Sequence, residues 1–215
     1  MNNAFNPKSI NSIVTYAKKL KNKTLRQACG AEIENHGYKG KGNFGQLLEK
    51  FYFGYEPNSK AEADFVDVGM ELKCTPLKTL KKGDFRSKER LVLNIINYLE
   101  VHTENFEQSS FWKKNAHLLL IFYLHDKEKD LLDYLIKLVE DWEYPNQDLI
   151  IIKKDWELIN QKIKDGKAHE LSEGDTFYLG ACTKGSTAAK SLRKQPFNEI
   201  KAKQRAYSLK QGYVN

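Results

Sequence analysis

The chain is short of the residues that most readily betray a function. Its three cysteines, Cys29, Cys74 and Cys182, are odd in number, far apart and never spaced as Cys-x-x-Cys. That argues against a disulfide framework and a cysteine-built zinc site alike. Five histidines, at 36, 102, 117, 125 and 169, form no His-x-x-x-His pair, and no Gly-x-x-x-x-Gly-Lys-Ser loop occurs, so nucleotide-driven chemistry is not indicated. No apolar run approaches the roughly 18 residues needed to span a bilayer. The opening MNNAFNPKSI lacks an apolar leader, and a soluble cytoplasmic protein is the expectation. Internal repeats and low-complexity tracts are also missing.

What is present is basic. The chain has 35 Lys and Arg against 28 Asp and Glu, a net charge of +7, which suits a polyanionic partner without requiring one. Arginine supplies only five of those cations, at 26, 86, 90, 193 and 205. A length of 215 residues fits one domain with a substantial core, and residues 1–215 are read as a single domain.

Apolar periodicity lays out the elements. Ser9 caps a first helix through INSIVTYAKKL, and TLRQACG carries a second, short one. In NFGQLLEKFYFG, Phe44, Leu47, Leu48 and Phe51 form an apolar stripe with Glu49 off its centre. ERLVLNIINYLEV reads as a long strand, AHLLLIFYL as a buried central strand, and DLIIIKKDWELINQKIKDGKA as a short strand running into a helix that ends at Gly166. DLLDYLIKLVEDWEY is ambiguous between helix and strand. The remainder alternates short strands with basic loops and stops soon after the strand YSLKQ.

The chemistry concentrates in Asp64-Phe-Val-Asp-Val-Gly-Met-Glu71-Leu-Lys73, read as two adjacent strands around a turn at Gly69. Strand side chains alternate, so Glu71 and Lys73 share one face while Met70, Leu72 and Cys74 take the other. Asp64 folds back beside them. Two close carboxylates repel unless a divalent cation neutralises them, which points to Mg²⁺, and Lys73 is placed to orient or deprotonate a water. The second Glu-x-Lys triplet, Glu199-Ile-Lys201, has no nearby preceding Asp and is read as a solvated helical face. Asp165-Gly-Lys167 reads as a helix-ending loop.

A helix glutamate, then Asp, then Glu-x-Lys is the order found in restriction-endonuclease-like nucleases. The stretches KGNFGQLLE and EADFVDVGMELKCTPL closely resemble the MutH family of DNA-nicking and GATC-cutting endonucleases. Further on, KERLVLNIINY, KDWELINQKIKDGKAHELSEG, YLGACTKG and IKAKQRAYSLKQGY are similar to its restriction branch. The resemblance runs from about residue 37 onward. It implies an α/β restriction-endonuclease-like core of the PD-(D/E)xK type, with a mixed central sheet flanked by helices. It also implies Mg²⁺-dependent, type II hydrolysis of double-stranded DNA at GATC.

Position by position, the resemblance assigns metal binding to Glu49, Asp64, Glu71 and the main-chain carbonyl of Leu72. Lys73 becomes the catalytic lysine. A second active-site lysine falls on Lys114, with Lys113 as the alternative, because FWKKNAHLLLIF aligns by its apolar run. DNA contacts fall on Lys41, on the loop Cys182-Thr183-Lys184-Gly185, and on Ser208 and Lys210. The nicking branch carries Tyr where Ser208 stands, so a response to adenine methylation is not implied. A second MutH-like domain after residue 215 and a weak or DNA-induced dimer are further expectations. Two other readings stay open: a mismatch-repair nickase, and a catalytically silent DNA-binding module. Unneutralised acids facing DNA phosphates argue against the silent module.

Overall fold

The computed structural model describes residues 4–35, 44–57, 61–185 and 191–215. In chain order the helices are α1 (Ile10–Lys18), α2 (Leu25–Cys29), α3 (Ala31–Asn35), α4 (Phe44–Leu47), α5 (Tyr98–Val101), α6 (Ser110–Asn115), α7 (Asn146–Lys164) and α8 (Gln211–Val214). The strands are β1 (Met70–Thr79), β2 (Phe85–Ser87), β3 (Leu91–Ile95), β4 (His117–Leu124), β5 (Ile136–Glu143), β6 (Leu179–Thr183), β7 (Leu192–Gln195), β8 (Asn198–Lys203) and β9 (Arg205–Leu209). They form two compact units, one of residues 1–89 and 117–142, the other of residues 90–116 and 143–215.

The first unit is a mixed sheet in the order β2-β1-β4-β5. Strand β2 returns antiparallel on β1 after a tight turn, while β4 runs parallel to β1 from Met70 opposite His117 to Leu77 opposite Leu124. Parallel neighbours need a long crossover. Residues 90–116 supply it. Leu118 to Phe122 are all buried, as the continuous apolar run requires of a central strand. Met70 and Leu72 pack from β1 into one core with Ile13, Ala17, Leu20 and Leu25 of α1 and its surroundings. Ser9 caps α1 through its side chain, and Thr24 with Gln27 forms a capping box on α2, so both expected helices are present with a local cause.

The second unit holds the sheet β3-β9-β6 and the hairpin β7-β8. Here several expectations are corrected. The long strand expected of ERLVLNIINYLEV is only β3, because Asn97 caps a helical turn with its side chain. The expected strand at DLIII does not form. Asn146–Lys164 is one helix that starts after Pro145, with Asp148 in its first turn and Lys162 and Lys164 in its last. Those charges complement the helix dipole, and Ile152, Trp156, Ile159 and Ile163 bury one face at helical spacing. Packing of that stripe outweighs the β-branched run that suggests a strand. Glu199 and Lys201 lie in β8, exposed but not helical. After β9 the chain makes a helical turn, α8, where the sequence pattern offers no closing helix. No described helix is long and apolar enough to cross a membrane.

Candidate active site

Glu71 and Lys73 owe their shared face to the pleat of β1. Lys73 Nζ donates to Glu71 Oε1 at 2.6 Å, with the two side chains 17% and 3% exposed. Met70 and Leu72, alternating with them, lie in the core. The pattern is the one strand alternation predicts.

The approach to β1 is not a second strand. Phe65 and Met70 form a single antiparallel bridge around the 3-10 turn Val66–Val68. Gly69 closes the turn at φ 63°, a left-handed backbone that costs other residues strain. A Cβ there would meet nothing within 4 Å, so the demand for glycine is conformational and not steric. The turn brings Asp64 back against β1. Its Oδ2 accepts the Leu72 N–H at 3.0 Å, and Glu71 Oε2 accepts the Asp64 N–H at 3.0 Å. Each carboxylate therefore fixes the other's stretch of backbone.

Glu49 stands in the first turn of a π-helix, Leu48–Phe53, that continues α4. Leu48 and Phe53 are both buried at a spacing of five, which suits the wider turn, and such turns recur at functional sites. Burial first, then the charge of Glu49, pushes the Cys74 thiol far above its usual range, with Asp64 adding to the effect and Lys73 opposing it. Glu49, Asp64 and Lys73 thus share one electrostatic environment around β1.

Among the described residues, no three His, Cys, Asp or Glu side chains group as a metal site. Mg²⁺ does not need three. It keeps most of its waters and is commonly held by one or two carboxylates. The hard oxygens of Asp64 and Glu71, tied together through 3.0 Å hydrogen bonds, fit that requirement.

The other sequence-assigned residues are distributed. Lys114 is on α6 in the second unit, half-buried, beside the more exposed Lys113. Lys41 lies outside the described residues. Thr183 is exposed at the end of β6, and the Lys184 N–H donates to the Gln204 carbonyl at 2.8 Å. Gly185 has φ 110°, and a Cβ there would come within 2.8 Å of Ser191 Cβ. Cys182 and Ser208 are 3% and 1% exposed. Both side chains turn into the unit. Ser208 sits on the middle strand of its sheet, opposite Val92 and Gly180. Lys210 donates to the Thr176 carbonyl and lies over Gly180.

Two groups carry no assignment from the sequence pattern. Asp155, 3% exposed on the buried face of α7, accepts the backbone N–H groups of Phe177, Tyr178 and Leu179 at 2.8, 2.6 and 2.8 Å. It holds the chain at the entry to β6, the strand that ends in the Thr183–Gly185 loop. A carboxylate between Ile152 and Ile159 on an apolar stripe is the one signal that could have found it. The other is Tyr55, whose position follows a glycine stop and offers no pattern.

The family model described as DNA mismatch repair enzyme MutH matches residues 53–155, a span that includes Asp64, Glu71, Lys73 and Lys114. The chain is 48% identical over 200 residues to the type II restriction enzyme Sau3AI of Staphylococcus aureus, covering 92% of this chain and 40% of that enzyme. Its length is thus about two fifths of that relative's. DNA mismatch repair proteins MutH of Shewanella amazonensis and Vibrio campbellii match at 27% and 26% identity, covering 88% and 82% of the chain and 84% and 78% of those proteins. Within a mixed α/β chain, residues 53–155 thus carry a domain matched by the MutH family model, whose fold is restriction-endonuclease-like.

Proposed function

We propose that this chain is a Mg²⁺-dependent endonuclease domain that hydrolyses double-stranded DNA at GATC. The observation that carries the reading is the tie between Asp64 and Glu71 with Lys73 at 2.6 Å from Glu71. It is supported by 48% identity to a type II restriction enzyme. In this reading Asp64, Glu71 and the Leu72 carbonyl hold the metal, with Glu49 contributing from its π turn. Bound there, Mg²⁺ would neutralise phosphate oxygens and assist the departing oxygen. Lys73 orients the attacking water and shares the charge of Glu71. Lys114 is assigned to the scissile phosphate, where an ammonium stabilises charge that develops during the reaction. Thr183, Lys184 and Gly185 read bases, and Lys41 and Lys210 position the backbone.

Digesting a supercoiled plasmid of known sequence with Mg²⁺, and with EDTA as the control, tests the whole reading. Fragments with ends at GATC are expected. Ends at other sequences, or cutting in EDTA, would overturn the specificity or the metal requirement respectively. A mismatch-repair nickase is the second reading, supported by the match of MutH proteins along 88% and 82% of the chain. Accumulation of open circles without linear product would select it. Failure to cut any duplex while still binding it would select the silent DNA-binding module.

A further inference from the structure

Tyr55 follows Gly54, whose φ of 77° ends the π turn, and its N–H donates to the Glu49 carbonyl at 3.1 Å. Its ring meets Phe65, the neighbour of Asp64, edge-on at 5.7 Å between centroids. The side chain is therefore held between the two segments that carry Glu49 and Asp64. Its hydroxyl is buried and has no hydrogen-bond partner among the described residues. A buried O–H left unpaired is costly, and in folded proteins it marks the place of a water or an ion. Tyr55 and Asp64 also line one cavity of about 720 Å³, which is roomy enough for water and polar on this side.

The electrostatics agree with a donor role. Burial first, then Asp64, Glu49, Cys74 and Glu71, drive the phenol's ionisation well above its usual range. A phenolic O–H can donate, whereas ionised carboxylates only accept, so the natural direction of a hydrogen bond here is from Tyr55 toward the acids. Phe5, Tyr16, Tyr52 and Phe53 supply the aromatic part of the cavity lining, and Glu32, Lys50, Glu56 and Asp67 line it as well.

We propose that Tyr55 is a positioning residue of this site, its hydroxyl donating to water among the Asp64, Glu49 and Glu71 carboxylates and so ordering the hydration of the divalent cation they bind. The inference rests on the metal reading above and extends it to a side chain that cannot ligate strongly itself. Partners that act through the ligands of a metal typically change its affinity by about 10- to 100-fold.

The test compares wild type, Tyr55→Phe and Asp64→Asn without DNA. Free Mn²⁺ is followed by electron paramagnetic resonance, and tyrosine absorbance is followed as Mg²⁺ is added. Tyr55→Phe is expected to weaken Mn²⁺ binding about tenfold or more and to lose the Mg²⁺-dependent tyrosine difference signal. In EDTA its Tm is expected to equal or exceed that of wild type, because the substitution removes only an unpaired hydroxyl. Equal Mn²⁺ affinity of wild type and Tyr55→Phe overturns the role of Tyr55 while leaving the metal site standing. A lower Tm of Tyr55→Phe in EDTA overturns it too, by showing that the hydroxyl is already bonded in the metal-free protein. If wild type binds Mn²⁺ no better than Asp64→Asn, the metal reading falls and this inference with it.

Discussion

Glu71 accepts the backbone N–H of Asp64 at 3.0 Å while Asp64 accepts the N–H of Leu72, the residue after Glu71, also at 3.0 Å. The pair is structural as well as chemical, so amide and alanine substitutions should separate the two roles. Asp64→Asn keeps an acceptor oxygen and should fold with nearly wild-type Tm, yet lose at least about a hundredfold in cleavage of a GATC plasmid. Asp64→Ala should lose the same activity and in addition about 1–3 kcal/mol of stability, because the Leu72 N–H is left unpaired. Near-normal digestion by Asp64→Asn at matched concentration would remove the central claim about this site.

Lys73 is expected to show a similar division in a double-substitution cycle. Lys73→Met leaves the nearly buried Glu71 carboxylate without its cation and should cost on the order of 3 kcal/mol in urea unfolding as well as abolishing cleavage. Adding Glu71→Gln removes the stranded charge and should recover most of the stability with no return of activity. Additive losses in the two single variants would mean that the 2.6 Å pair contributes little to the fold.

Asp155 is the anchor of the second unit. Asp155→Ala strands three backbone N–H groups at the start of β6, and a loss of about 2–4 kcal/mol is expected from the urea midpoint. Asp155→Asn should lose less, since one acceptor oxygen remains. A stability change under about 0.5 kcal/mol for Asp155→Ala would show that water replaces the carboxylate at no cost.

The loop after β6 should divide base reading from backbone binding. Lys184→Ala is expected to cost about 1–3 kcal/mol on GATC duplex and little on unrelated DNA. A phosphate contact would instead weaken all duplexes alike and flatten the salt slope by about 0.9, which would move the recognition loop elsewhere. Gly185→Ala should impair GATC binding by displacing the loop, because its φ of 110° and the 2.8 Å approach to Ser191 leave no room for a Cβ.

Much of this site is legible in the sequence itself. Strand alternation alone pairs Glu71 with Lys73, and Gly69 marks the turn that returns Asp64. Glu49 is legible only through its family resemblance, because nothing in a helical stripe announces a π turn. Asp155 shows only as a carboxylate on an apolar helical stripe, which does not reveal that it binds backbone 22 to 24 residues away. Tyr55 is not legible, because a phenol wedged between two segments has no local period to betray it. The run DLIII misleads because β-branched propensity is weak beside the burial of Ile152, Trp156, Ile159 and Ile163 on one helical face.

The sequence by itself determined the parts whose causes are local: the capped helices α1 and α2, the buried strand β4, the turn at Gly69, and the side of β1 on which Glu71 and Lys73 stand. Each follows from the fixed geometry of a strand, a cap or a glycine backbone within a few residues. Only the tertiary structure decided which groups meet across the chain and which turn inward. Ser208 became interior because β9 lies between β3 and β6, and Asp155 became an anchor because α7 presents it to the entry of β6. Tyr55 was left with a buried hydroxyl that no described residue pairs, because Glu49 and Phe65 fix its two sides. Those outcomes depend on which buried polar groups find partners in the packed chain, a constraint that no window of sequence contains.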